Sequence, residues 1–142
     1  MENLIVEGSH GVYFVPYVNF NAETGECELA GESYLEDTVL FYNPLLQWLE
    51  NYINKKREAI KFNIKLTYFN TSSSRCLLDI LNMLKDYEDE GGEVAVNWYY
   101  DEEDIDMQEE IEDYEIDTGL HIHLIPSTDL VKHDDSEQDE ED

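Results

Sequence analysis

The sequence predicts an α/β fold, a sheet flanked by helices, and three observations carry that prediction. Segments that alternate apolar and polar residues, as half-buried strands do, recur along the chain, most clearly from Phe62 to Tyr68. Between them lie segments whose apolar residues recur at steps of three and four, as on the buried stripe of a helix. Strands that alternate with helices pair in parallel through right-handed crossovers. The predicted order is therefore hairpin, helix, strand, helix, strand, short helix, strand.

The N-terminal part of the chain predicts a β-hairpin. Residues 1–11 are interpreted as a lead-in, and the β-rich run Val12–Phe20 follows them. Pro16 interrupts this run or marks an edge, because proline cannot donate to a strand ladder. A turn then leads to a second short strand, Glu26–Ala30. Residues 31–37 are expected to form a loop.

The first helix has a wide apolar stripe and two candidate start points. It begins either at Asn43 and Pro44, a cap followed by a first-turn proline, or near Thr38 with a bend at Pro44. The basic run Lys55–Arg57 suits the negative end of the helix dipole and ends the helix. A functional basic patch is the alternative interpretation of that run. The stripe consists of Val39, Leu40, Leu45, Leu46, Trp48, Leu49, Tyr52 and Ile53.

The second half of the chain continues the alternation and ends in an acidic segment. Seven of the last nine residues are acidic, so residues 127–142 are predicted to be a disordered tail after a single domain of residues 1–126. Ile105, Met107, Ile111 and Tyr114 indicate a short acidic helix that buries little. The remaining predicted elements are a strand over 62–68, a helix over 73–88, an internal strand over 93–100 and a last strand over 120–125.

Charge and composition narrow the function classes. The chain has 35 acidic and 8 basic residues, a net charge of −27, which disfavours binding to nucleic acid or to anionic membranes. Neither a secretory signal nor an apolar run of about 20 residues is visible, so we expect a cytoplasmic protein. Cys27 and Cys76 are interpreted as reduced thiols, because they lack a metal-type or redox spacing.

The segment Tyr68–Arg75 is a candidate site because it joins a predicted strand to a predicted helix. The first N–H groups of a helix have no internal partner and lie at the positive end of the dipole. Asn70, Thr71 or Ser72 is expected to cap the helix. Four consecutive hydroxyl residues, Thr71 to Ser74, exceed what one cap needs and also suit a phosphate acceptor, with Arg75 as the counter-charge.

Metal-binding and catalytic interpretations find less support. An EF-hand loop that starts at Asp101 has Asp106 where its sharp turn needs glycine, and one that starts at Asp104 has Glu109 there. His121 and His123 share a face of a strand, but two ligands do not make a zinc site. The hydroxyl run has no evident base, and the usual Gly-rich phosphate loops are absent, so no enzyme, metal or cofactor is predicted.

Three segments of the chain resemble the SiaC family of bacterial regulatory phosphoproteins. The likeness spans about residues 3 to 126, and it implies a fold similar to the STAS domains of anti-sigma factor antagonists, with an N-terminal hairpin and parallel strands. This agrees with the element order derived above. The three matching segments are Phe41–Leu49, Tyr68–Ser74 and Val96–Glu102.

The resemblance implies a partner switch that acts in c-di-GMP signalling and biofilm control. In that family a threonine in the motif matched by residues 70–73 is phosphorylated by a kinase and dephosphorylated by a PP2C-type phosphatase. The unmodified form binds and activates a diguanylate cyclase. Thr71 is the matching position, so it is the expected phosphorylation site. The expected partner-binding residues around it are Asn70, Ser72, Ser73, Ser74, Arg75, Tyr99, Tyr100 and Asp101.

The residues also allow a different class of protein. A constitutive acidic interaction protein would occupy a basic surface of its partner, for instance by mimicking nucleic acid. Deletion of residues 127–142 discriminates, because a decoy should lose most of its binding and show steep salt dependence, whereas a switch should lose little.

Overall fold

The computed structural model describes residues 1–127 of the chain. Six strands form the main sheet, and three helices form a layer on it. Two further strands form a separate pair. The strands are β1 (Leu4–Val6), β2 (Ser9–His10), β3 (Phe14–Val15), β4 (Tyr17–Phe20), β5 (Glu26–Ser33), β6 (Ile60–Phe69), β7 (Val94–Tyr100) and β8 (Ile122–Pro126). The helices are α1 (Thr38–Lys55), α2 (Thr71–Asp89) and α3 (Ile105–Thr118).

The main sheet is mixed and has the order β1-β4-β5-β6-β7-β8. Strands β1, β4 and β5 pair antiparallel, and β5 to β8 pair in parallel. Strands β2 and β3 form the separate antiparallel pair. The predicted α/β sheet, with an N-terminal hairpin followed by parallel strands, is confirmed.

All three helices cover the same face of the sheet. Each crossover from β5 to β8 moves one strand in the same direction, and right-handed crossovers of one direction place their helices on one side. Helix α2 packs between α1 and α3. Along β6 the residues facing the helices are buried, whereas Asn63 and Lys65 on the other face are partly exposed. The fold therefore has one packed layer and one open, polar sheet face.

One hydrophobic core joins the helices to the packed face. Trp98 of β7 is fully buried, and its ring stacks on that of Tyr114 in α3 at a centroid distance of 5.6 Å. On the opposite side of the core, Phe20 of β4 contacts Trp48 of α1, with ring centroids 5.3 Å apart. Burial of such large aromatic side chains contributes most of the free energy that holds the layers together.

The structure corrects two predictions in the N-terminal third. Residues 1–11 are not only a lead-in, because β1 forms an edge of the main sheet and β2 pairs with β3. Residues 31–33 belong to β5, which passes through an irregularity between Gly31 and Glu32 before it ends at Ser33. The positive φ of Gly31, +98°, explains why alternation of apolar and polar residues does not reveal the strand there.

Helix α1 follows the second of its two predicted starts. Asp37 caps it, with the carboxylate accepting the Leu40 N–H at 3.1 Å, and Pro44 lies within the helix. Helix α3 is longer than predicted, and its Met107, Ile111 and Tyr114 are buried, so the expectation that it buries little is wrong. Residues 128–142, most of the predicted tail, lie outside the described residues.

Candidate functional site

The predicted strand-to-helix junction lies at the carboxyl end of the central strand. Strand β6 ends at Phe69 and α2 begins at Thr71, with Asn70 in extended backbone conformation between them. The Asn70 side-chain oxygen accepts the backbone N–H of Ser73 at 3.0 Å. The prediction that one residue of this segment caps the helix is confirmed, and the cap is Asn70.

Thr71 occupies the first helical position, and its side chain is exposed, as is that of Ser72. The N–H groups of this first turn carry the positive end of the α2 dipole. A hydroxyl here is open to a modifying enzyme without any unfolding. A phosphoryl group attached to it would lie at the end of the helix that favours negative charge.

Ser73 belongs to a buried chain of hydroxyl groups that joins three elements. Its Oγ lies 2.8 Å from Ser33 Oγ at the end of β5, which in turn lies 2.8 Å from the Tyr42 hydroxyl of α1. Ser73 Oγ also donates to Asn70 Oδ1 (2.5 Å) or to the Ser33 carbonyl (3.2 Å), one at a time, since it has one proton. Burial raises the pKa of Tyr42 well above its usual range, so this hydroxyl stays neutral.

Ser74 ties α2 to α3. The Tyr114 hydroxyl donates to the Ser74 carbonyl at 3.1 Å and accepts from Ser74 Oγ at 2.7 Å. Burial is the main reason that the pKa of Tyr114 rises to about 12. Ser73 and Ser74 therefore hold the start of α2 against its neighbours, whereas Thr71 and Ser72 face solvent.

An acidic cleft of about 370 Å³ opens beside Thr71, between the start of α2 and helix α3. Its α3 side carries three carboxylates, and burial together with Asp104, Asp106 and Asp113 raises the pKa of Glu110. The cleft repels a further negative charge, in opposition to the helix dipole. Its lining residues are Phe69, Asn70, Thr71, Ser74, Glu110, Asp113, Tyr114 and Asp117.

The other side of Thr71 is a shallow depression between the starts of α1 and α2. It is lined by Val39, Ser72 and Arg75 among others, and its volume is about 730 Å³. Val39 and its neighbour Leu40 are 58% and 73% exposed. Thr71 thus lies between a cleft whose charged groups are all carboxylates and a mainly apolar depression that contains both Arg75 and Asp79.

The remaining residues expected to bind a partner lie in different places. Ser73 and Tyr100 are 0% and 7% exposed, so their side chains offer a partner almost no surface in this conformation. Tyr99 lies on the open sheet face, where the Lys65 ammonium sits 5.1 Å from its ring centroid. Asp101 follows β7, and its carboxylate accepts the Glu103 N–H at 3.0 Å.

Residues 1–127 contain neither a cluster of metal-ligating side chains nor a membrane-spanning helix. No group of three or more His, Cys, Asp or Glu side chains in this region is arranged to hold a metal ion. The rings of His121 and His123 lie 4.6 Å apart, and His121 Nδ1 is 3.1 Å from a Glu115 carboxylate oxygen. None of the helices in this part of the chain is long and apolar enough to cross a membrane. Cys27 and Cys76 are buried free thiols.

Sequence reasoning missed the residues that surround the hydroxyl run. The sequence gives no signal for Ser33 and Tyr42, because Ser33 lies in a segment that it predicts to be a loop and Tyr42 lies in a helix whose pattern is mainly apolar. The carboxylates of Glu110, Asp113 and Asp117 appeared only as part of a long acidic stretch. Their three- and four-residue spacing, which places them on one face of a helix, was the available signal.

Comparisons with known proteins identify relatives that share this fold. An uncharacterized protein of Pseudomonas aeruginosa is 25% identical over 110 residues, which cover 78% of this chain and 87% of that protein. The crystal structure of apo-SiaC from Pseudomonas aeruginosa has a TM-score of 0.81 at 23% identity and covers 88% of this chain and 99% of its own.

A second solved structure is that of the diguanylate cyclase SiaD in complex with its activator SiaC, also from Pseudomonas aeruginosa. The match has a TM-score of 0.78 at 22% identity and covers 86% of this chain and 100% of the matched chain. These structures share the fold described here. The sequence model of the SiaC family regulatory phosphoproteins matches residues 9–127. The chain therefore belongs to the SiaC family of regulatory phosphoproteins.

Proposed function

We propose that this protein is a non-enzymatic partner switch whose unphosphorylated form binds and activates a diguanylate cyclase. In this proposal a protein kinase phosphorylates Thr71 and a PP2C-type phosphatase restores the hydroxyl. Family membership supports the regulatory role, and the SiaC protein found in complex with SiaD supports the choice of a cyclase as the partner. The observation that carries the proposal is the exposed Thr71 hydroxyl at the first position of α2.

The scaffold should tolerate the phosphoryl group. Phosphorylation adds about −1.5 to −2 charges at neutral pH. At Thr71 this charge meets the positive end of the α2 dipole, while the carboxylates of Glu110 and Asp113 repel it from the α3 side. The two effects oppose each other, and the hydrogen bonds that hold the helix start are made by Asn70 and Ser73. The fold is therefore expected to persist while its surface changes.

The partner is expected to be far more sensitive than the scaffold. A partner packed over Thr71 must remove water from the phosphate, and burial of an unpaired charge costs several kcal/mol. The nearest acidic cleft offers no compensation, since its charged lining groups are all carboxylates. A penalty of about 3 to 5 kcal/mol would shift a two-state equilibrium from largely bound to largely unbound.

The test compares two single substitutions that change the net charge equally. Thr71→Glu is expected to abolish cyclase binding and activation, whereas Ser72→Glu, one residue farther along the exposed turn, should weaken them less. Binding is measured by titration calorimetry, activation by c-di-GMP production, and folding by circular dichroism and thermal melting. Full binding by Thr71→Glu, or by protein phosphorylated at Thr71, would refute the switch.

Mass spectrometry of protein purified from its native host supplies the independent check. Phosphate is expected on Thr71, and Ser73 is expected to remain unmodified because its side chain is buried. Co-expression with the host's PP2C-type phosphatase should remove the phosphate. Modification confined to Ser72 or Ser74 would place the switch at a different hydroxyl.

A further inference from the structure

Three tyrosines form an exposed aromatic surface that the packing of the fold does not require. We call Tyr13, Tyr34 and Tyr68 the tyrosine strip; they are 39%, 42% and 47% exposed. The ring centroids of Tyr13 and Tyr34 are 5.8 Å apart, and those of Tyr34 and Tyr68 are 6.4 Å apart. An exposed run of neighbouring aromatic rings is characteristic of a recognition surface rather than of a folding core.

Backbone contacts position Tyr34 and Tyr68 of the tyrosine strip. Tyr34 directly follows β5 and exchanges two backbone hydrogen bonds with Phe14, at 2.8 and 3.0 Å. Tyr68 lies in β6, opposite Glu32 in the strand register. Tyr68 lies three positions before Thr71, so the strip and the proposed phosphorylation site occupy the same end of the sheet.

Elsewhere in the fold, tyrosine rings lie beside cations of the same chain. The rings of Tyr87 and Tyr99 each lie close to a cationic side chain that is also paired with a carboxylate. Lys65 Nζ lies 5.1 Å from the ring centroid of Tyr99 and 3.1 Å from Glu28 Oε1. The Arg57 guanidinium lies 5.6 Å from the Tyr87 ring centroid, and its Nη2 lies 3.4 Å from Glu90 Oε1. Cation, aromatic face and carboxylate therefore form a repeated unit in this structure.

The tyrosine strip has the aromatic faces and the carboxylate but no such cation. In the region that the structure describes, no Lys or Arg lies over these three rings. The Glu32 carboxylate is paired only with His10 in this region, at 3.7 Å. A chain with a net charge of −27 attracts cationic partners and disfavours a second copy of itself on this surface.

We propose that the tyrosine strip docks an arginine-bearing segment of the protein partner. Guanidinium groups of the partner lie over the tyrosine rings and pair with Glu32, as Arg57 lies over the Tyr87 ring and beside Glu90. Arginine fits better than lysine because its planar, weakly hydrated group covers an aromatic face. The proposal rests on the proposed function in taking that partner to be the diguanylate cyclase.

The decisive experiment changes the rings without changing any charge. The Tyr34→Leu/Tyr68→Leu variant keeps apolar area but loses both aromatic faces, whereas Tyr34→Phe/Tyr68→Phe keeps the faces and loses only the hydroxyls. Cyclase binding by the leucine pair is expected to weaken about 5- to 30-fold, the effect of two cation–π contacts. Binding by the phenylalanine pair should stay within about twofold of the parent. Equal binding by the two variants, whether retained or lost, overturns the proposal.

Thr71→Glu is measured beside these variants so that two failures remain distinguishable. If Thr71→Glu abolishes cyclase binding and the leucine pair binds like the parent, the switch stands and the tyrosine strip proposal fails. If Thr71→Glu also binds like the parent, the proposed function fails. Size-exclusion chromatography reports on self-association, and a dimer that the leucine pair abolishes would assign the strip to a second copy and overturn the proposal.

A peptide titration tests the chemistry without the cyclase. An amidated pentapeptide of alternating arginine and glycine is compared with its lysine counterpart, which has the same charge, by NMR of the full chain. Shifts of the Tyr34 and Tyr68 ring signals are expected with the arginine peptide and should be at least halved with lysine. Equal shifts from both peptides, or shifts confined to the acidic helix α3, would contradict stacking on the strip.

Discussion

Replacement of Ser33 with alanine is expected to destabilise the protein more than replacement of Tyr42 with phenylalanine, although both remove the same hydrogen bond. The Ser33 and Tyr42 hydroxyls lie 2.8 Å apart in the buried chain that ends at Asn70. Ser33 Oγ has a second partner, Ser73 Oγ, also at 2.8 Å. The Tyr42 hydroxyl has Ser33 as its hydrogen-bond partner among the described residues.

The expected loss of unfolding free energy depends on whether a substitution leaves a buried hydroxyl without a hydrogen-bond partner. Tyr42→Phe removes one buried hydrogen bond and leaves Ser33 bonded to Ser73, so we expect a loss of about 1 kcal/mol. Ser33→Ala removes two hydrogen bonds and leaves the fully buried Tyr42 hydroxyl unpaired, which raises the loss to about 2 to 3 kcal/mol. The double variant has no unpaired hydroxyl and should be no less stable than Ser33→Ala alone.

Urea and thermal unfolding of the three variants measure these differences. At this chain length about 1 kcal/mol corresponds to a melting shift of roughly 3 to 5 °C. Ser72→Ala is the matched control, since Ser72 belongs to the same hydroxyl run but is exposed and should change stability by less than about 0.5 kcal/mol. The assignment of an unpaired Tyr42 hydroxyl to Ser33→Ala would be refuted by either of two results. In one, the losses of unfolding free energy add up in the double variant. In the other, Ser33→Ala loses no more than Tyr42→Phe.

Three further predictions concern stability. Asn70→Ala removes the cap of α2 and should lower the free energy of unfolding by about 1 to 2 kcal/mol in urea titrations. Glu110 has a raised pKa in the fold, so its ionisation makes the parent less stable as the pH rises from below the ordinary carboxylate range to neutrality. Glu110→Gln should lack that loss, giving a gain of at most about 0.5 kcal/mol at pH 7 that disappears near pH 4 in melting experiments. Gly25→Ala should be destabilised by more than about 1 kcal/mol, because Gly25 has φ +76° and an added Cβ would collide with the Ala59 carbonyl.

Periodicity alone located the elements whose burial is one-sided. Strand β6 alternates buried residues with partly or fully exposed ones over most of its length, and the buried stripe of α2 recurs at helical spacing. In such elements one face is buried and the other faces solvent, so apolar and polar residues recur with the period of the strand or the helix. The hydroxyl run between these two elements was therefore placed correctly at a helix start.

The remaining features depend on contacts between distant segments. Strand β1 has only three residues and exists because it pairs with β4, a partner that its own sequence does not specify. Helix α3 looked marginal because acidic residues occupy its exposed face, yet Tyr114 reaches the core and stacks on Trp98. The acidic cleft beside Thr71 exists only because α3 packs against α2. No local pattern in the sequence encodes that juxtaposition.

The four consecutive hydroxyls of α2 are explained by the helix itself rather than by a single shared role. Successive residues of a helix turn by about 100°, so a run of four cannot face one environment. Thr71 and Ser72 face solvent, Ser73 closes the buried hydroxyl chain, and Ser74 bonds Tyr114 of α3. Two of the hydroxyls are thus accounted for by packing, and the excess that suggested a phosphate acceptor reduces to two exposed candidates.

Thr71 and Ser72 differ in which charged surfaces they line. Thr71 lines both the acidic cleft and the apolar depression that contains Arg75, whereas Ser72 lines only the depression. In the proposed switch, a phosphate on Thr71 would therefore change two adjoining surfaces, and it would stand where repulsion from α3 opposes the attraction of the helix dipole. A modification at that position is expected to alter recognition strongly and folding little, which is the physical requirement of the reversible switch proposed for Thr71.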